Sequence, residues 1–81
     1  MKGEFIDVVT EKGVLKRVEV LRYFRIKSLN KEYIIYREKG NVIYSAELKY
    51  IDDTIVLSSV EDERALDVIK EYVKELSDNG K

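Results

Sequence analysis

Between Val18 and Tyr50 the chain is a near-continuous succession of Val, Ile, Tyr and Phe, broken only by two short polar stretches. Few folds accept such a run, because β-branched and aromatic side chains suit a pleated, half-buried surface. It reads as three consecutive antiparallel strands. The clearest follows Asn41, where Val42, Tyr44, Ala46, Leu48 and Tyr50 alternate with Ile43, Ser45, Glu47 and Lys49. A sustained period of two is the mark of a strand with one buried face. Tyr33 to Glu38 (YIIYRE) supplies the strand before it. The intervening turns are Leu29-Asn30-Lys31-Glu32, where Asn30 suits left-handed backbone, and Lys39-Gly40-Asn41, a short hairpin connection.

The flanks extend this sheet. Phe5 to Thr10 (FIDVVT) is a short β-branched strand, and Glu11-Lys12-Gly13 turns the chain, with Gly13 free to adopt positive φ. Val14 to Val20 then pairs back, with Val14, Lys16, Val18 and Val20 on one face. Alternation fails at Val20-Leu21, where a bulge or bend lets Phe24 and Ile26 keep facing the core. A helical turn over 14–22 is the rival reading, since Val14, Val18 and Leu21 also fit helical spacing. Asp52-Asp53 forms the next turn, and Thr54 to Leu57 (TIVL) is a last strand.

From Glu61 onward the period becomes 3.6. Ala65, Leu66, Ile69, Tyr72, Val73 and Leu76 line one stripe, and Glu63, Asp67, Lys70, Glu71 and Lys74 lie opposite. Ser58, Ser59 or Asp62 is placed to cap the helix, and Asn79-Gly80 to stop it. The expected architecture is therefore α+β: an antiparallel β-meander of about five strands with one C-terminal helix packed on one face, a single domain over residues 1–81.

The residue inventory narrows the chemistry. The 81 residues include neither Cys nor His, which removes disulfides, thiolate nucleophiles, and the commonest general base and metal ligand. Ser58-Ser59 has no activating base, and Asp52, Asp53, Glu61, Asp62 and Glu63 lack calcium-loop spacing. The expectation is a non-enzyme with no cofactor and no metal. No apolar run is long enough to span a bilayer, and the first residues lack a secretory pattern, so a cytoplasmic protein is expected. Residues 1–50 hold 11 Lys/Arg against 7 Asp/Glu, and residues 51–81 hold 4 against 9, so a net −1 conceals a basic sheet and an acidic tail.

Several pieces together carry a family resemblance: Val18-Glu19-Val20-Leu21, the stretch Lys31-Glu32-Tyr33-Ile34-Ile35-Tyr36, and the acidic helix entry Glu61-Asp62-Glu63. In this order the chain resembles the small bacterial YrzB-like family, a domain of unknown function, from about Ile6 to Leu76. The family pattern carries an aromatic residue after the acidic entry, where this chain has Arg64-Ala65. The resemblance implies the fold and supplies no catalytic residues.

The candidate partner surface is the mixture of aromatic and basic residues on the central strands: Arg22, Tyr23, Arg25, Lys27, Tyr33, Arg37, Tyr44, Lys49 and Tyr50. Tyr and Arg are favoured interface anchors, and a sheet covered by one helix leaves its other face, and an edge, for contacts. The leading expectation is a protein-interaction module, adaptor or regulatory, binding an unidentified protein partner, with a homodimer through a sheet edge as a variant. The alternative is RNA or single-stranded nucleic acid, with Tyr stacking on bases and Arg and Lys tracking phosphates. The bland reading makes the tyrosines ordinary strand residues and the cations a solvated face.

Overall fold

Five strands and one helix follow one another in the computed structural model, which describes residues 4–38, 40 and 42–79, with side chains to residue 76. They are β1 (Glu4–Thr10), β2 (Leu15–Ile26), β3 (Lys31–Arg37), β4 (Ile43–Ile51), β5 (Thr54–Ser58) and α1 (Glu63–Asn79). The rival helix over 14–22 is replaced by strand. Gly13 takes φ 86° and Asn30 φ 54°, the left-handed conformations their turns call for. Of the turn expected at 39–41 only Gly40 is described, at φ 82°. Gly80, the expected helix stop, lies outside the described residues.

The meander is not purely antiparallel. β1–β2, β2–β3, β3–β4 and β4–β5 pair antiparallel, and β5 then meets β1 in parallel, Val9 opposite Val56 and Thr10 opposite Leu57. The sheet thereby closes into a barrel. Strand number explains the parallel pair. Each hairpin reverses the chain, so the first and fifth strands of a meander run the same way and can meet only in parallel.

Closure gives the sheet an inside. Ile6, Val8, Val18, Val20, Ile34, Tyr36, Ala46, Leu48, Ile55 and Leu57 fill it. The second core lies outside the barrel, where Phe24, Tyr33 and Ile35 meet Ala65 and Ile69 of α1, with Tyr72, Val73 and Leu76 packed around them. β3 serves both. Ile34 and Tyr36 face the lumen, Tyr33 and Ile35 face the helix, and all four are buried. Each fully buried aliphatic side chain stabilises the fold by about 1.5–3 kcal/mol relative to exposure, so β3 is the most heavily anchored strand.

A β-bulge divides β2 between these cores. Val20 stands opposite Tyr36, but Arg22 stands opposite Ile35, leaving Leu21 as the extra residue. The bulge falls where alternation fails in the sequence, and with it Phe24 and Ile26 do face a core, as expected. The bulge turns them to the second core and not to the one that Val18 and Val20 face. It swaps faces, so that the first half of the strand feeds the lumen and the second half feeds the helix interface.

The helix begins at Asp62, which is its cap. The Arg64 backbone N–H donates to Asp62 Oδ1 at 2.8 Å, and the Arg64 guanidinium lies 3.1 Å from Oδ2. Of the expected stripe, Leu66 is the exception: it stays 36% exposed, and Val68 joins the interface instead. Among the described residues no helix is long and apolar enough to cross a membrane.

Candidate functional site

Two ends of the barrel matter for function. The end bearing the β2–β3 and β4–β5 turns is taken as the upper end. Among the described residues β1 reaches only to Val20 of β2, through Glu4. β2 beyond the bulge therefore runs on above the barrel, paired with β3 on one side. The helix covers the outer face of this extension through Phe24 and Tyr33. Its other face stays open, and carries Tyr23, Arg25, Glu32 and Tyr50.

Cross-strand register brings these residues together. Tyr23 pairs with Ile34 and Arg25 with Glu32 across β2–β3, while Glu32 pairs with Leu48 across β3–β4. Residues in direct register share a face, and their diagonal neighbours lie within reach of long side chains. Glu32 thus sits between Tyr23 on one flank and Tyr50 on the other. The Tyr50 hydroxyl donates to Glu32 Oε1 at 2.7 Å, and Tyr23 supplies the weaker second hydrogen bond. Both rings remain open, Tyr23 at 53% and Tyr50 at 57% exposure. Arg25, although opposite Glu32 in register, turns its guanidinium to Asn30 Oδ1 at 2.5 Å.

These contacts fix the protonation states. Hydrogen bonds from Tyr50, then Tyr23, hold the Glu32 carboxyl below its ordinary value. The same bond to Glu32, with a smaller contribution from burial, pushes the Tyr50 hydroxyl up to about 12. Tyr23 is raised in the same direction by its bond to Glu32. At neutral pH the cluster is one carboxylate held by two neutral phenols.

The other predicted surface residues are dispersed. Tyr33 is a correction: at 1% exposure it is core, its ring stacked 5.4 Å from Phe24 beneath the helix. The unbroken YIIY run carried that signal, since a strand buried on both faces reads as continuous apolar sequence. Arg22 stands at the seam between helix and sheet, with its side chain 40% exposed. It clamps the helix to the sheet, its guanidinium 4.3 Å above the Tyr72 ring and 3.5 Å from Glu75. Arg37 binds Glu19 at 2.7 Å on the outer face, and Tyr44 stacks on Tyr36 at 5.5 Å near the lower end. Lys27 lies in the exposed β2–β3 turn, and Lys49 is exposed beside Tyr50. The face opposite the helix is thus free only above the bulge, because below it that face is the barrel lumen. The sheet edge is likewise reduced, β1 and β5 being paired to each other at Val9–Val56 and Thr10–Leu57.

Glu32 and Asn30 were absent from the sequence-derived surface. The sequence places Glu32 in a turn, whereas it belongs to β3, sharing a face with Ile34 and Tyr36. The hairpin register that opposes it to Arg25 is the signal that could have found it.

Two other concavities offer less. A pocket of about 390 Å³ at the lower mouth has Tyr36, Ala46 and Leu57 among its lining residues. Two of its polar groups are paired with each other, Ser58 Oγ donating to Glu11 Oε2 at 2.8 Å. A groove of about 490 Å³ beside it gathers Phe5, Tyr44, Lys16, Arg17 and Arg37. Its aromatic and basic lining has the composition of a nucleic-acid groove, but each cation already has a carboxylate: Lys16 with Glu38, Arg17 with Asp7, Arg37 with Glu19. No group of three or more metal-capable residues converges among the described residues.

No protein-family model matches the chain, and no solved structure matches it.

Proposed function

We propose that this protein is a small non-catalytic interaction module that docks a protein partner on the open upper face of β2–β3–β4. The observation that carries the reading is the convergence of Tyr23 and Tyr50, each more than half exposed, on one carboxylate opposite the helix-covered face. Tyrosines in this setting serve well as anchors. Each has a large apolar body with few rotatable bonds to immobilise, and hydrogen bonds already orient both rings. The extension below them is packed on its underside, where Phe24, Tyr33 and Ile69 share one buried cluster. A preformed anchor surface lowers the ordering cost of association.

The test compares capture by the native protein with capture by a Tyr23→Ala/Tyr50→Ala variant from extract of the source cell. The variant should retain its fold, because both side chains lie outside the cores. Loss of specific protein bands with the variant supports the proposal. Equal capture by a folded variant overturns it, as does recovery of nucleic acid alone in a salt-sensitive manner.

A further inference from the structure

The chemistry of the upper face specifies a ligand group, and this step rests on the interaction reading above. Among the described residues no salt bridge reaches Glu32: its hydrogen-bond donors are two neutral hydroxyls, and Arg25 acts on it only through a weaker charge interaction. The cation best placed by register, Arg25, is held by Asn30 instead. Asn30 itself is fixed in the left-handed backbone conformation that ends the β2–β3 turn, so this diversion is built into the hairpin.

Around the carboxylate stand two half-exposed phenol rings. The π-faces of aromatic rings are negative and attract cations, most strongly where a carboxylate adds full charge. Hydroxyl bonds to Glu32 orient the rings rather than neutralise the charge, because a tyrosine donates its hydrogen bond without giving up its proton. Lys31, adjacent in sequence, points to the other side of the sheet, where its ammonium lies 3.8 Å from Glu47. The site is anionic, aromatic-flanked and open to solvent.

We propose that the Tyr23–Glu32–Tyr50 cluster binds a cationic side chain, the guanidinium of an arginine or the ammonium of a lysine on the partner polypeptide. The carboxylate receives the N–H donors, and the two rings flank the apolar stem and the charge. The cluster keeps this character across the physiological range, because its carboxyl is held ionised and its phenols protonated.

The experiment uses three short peptides with blocked termini, identical except for a central Arg, Lys or Gln. Each is titrated into the full chain while the ring resonances of Tyr23 and Tyr50 are followed by NMR. Saturable shifts of both rings with the Arg or Lys peptide, and none with the Gln peptide, are expected; whichever cationic peptide binds tighter names the group. Glu32→Gln should weaken that binding by about tenfold or more, as expected for loss of a charge-assisted contact. Unchanged Tyr33 and Phe24 resonances show that the variant is folded. Equal response to the Gln peptide, no saturable shift, or undiminished binding by Glu32→Gln overturns the proposal. Should Glu32→Gln still capture the partner that the double tyrosine variant loses, the docking surface stands and the cation site falls.

Discussion

At the scale of single residues, Glu32 decides the chemistry of the open face. Its hydrogen bond to Tyr50 lowers the pKa of the acid and raises that of the phenol. A folded-state carboxyl pKa below the unfolded one contributes stability above the ordinary carboxylate value, lost as pH falls through the lowered one. A raised phenol contributes stability below its ordinary value, lost as pH rises through about 12. The Tyr50 ring should therefore titrate near 12, and in Glu32→Gln its midpoint should fall toward the ordinary phenol value of 10.0. Ring carbon shifts followed against pH measure both; an unmoved midpoint contradicts the assignment. Tyr23 and Tyr33 show how local sequence fails to predict exposure. Both are strand tyrosines beside apolar residues, but Tyr23 looks away from the helix and Tyr33 toward it. Their fates depend on register between strands, which no residue carries by itself.

At the scale of elements, β2 is the unusual piece, one strand serving two cores. Val18 and Val20 belong to the lumen, Phe24 and Ile26 to the helix interface, and one extra residue at Leu21 makes the exchange. Deleting Leu21 would remove the bulge and leave a regular ladder, with Val20 still opposite Tyr36, Tyr23 opposite Ile34 and Phe24 opposite Tyr33. The predicted result is a cooperative thermal transition by circular dichroism in the deletion variant as in Leu21→Ala, and its loss in the deletion variant alone would contradict Leu21 as the extra residue. The helix makes a separate prediction. Ile69 is 6% exposed against Phe24 and Tyr33, so Ile69→Ala should cost about 2–5 kcal/mol in denaturant unfolding. Leu66→Ala, at a site 36% exposed, should cost much less. The elements themselves were legible because their signals are local: the alternation from Val42 to Tyr50, the left-handed Asn30 and Gly13, the helical stripe from Ala65, and the failed alternation at Leu21. What the bulge does to the faces was not legible, since the parity of β2 has meaning only against a paired β3.

At the scale of the whole molecule, the consequential event is closure. Val9–Thr10 and Val56–Leu57 meet across almost fifty residues of intervening chain, and no periodicity announces a contact so distant in sequence. Closure turns the face expected to be free into a packed interior, and confines the open face to the part of β2–β3–β4 beyond the described end of β1. The candidate surface contracts accordingly. Tyr23, Arg25 and Tyr50 remain together, Tyr33 and Arg22 join the helix interface, and Arg37 and Tyr44 go elsewhere. The account depends on this partition between sealed and open tyrosines. It is tested most directly by adding a soluble paramagnetic relaxation agent and measuring line broadening at each assigned tyrosine ring. The Tyr23 and Tyr50 rings should broaden strongly, and Tyr33 should stay sharp beneath the helix. Protection of Tyr23 and Tyr50, or broadening of Tyr33 to match them, would contradict the account.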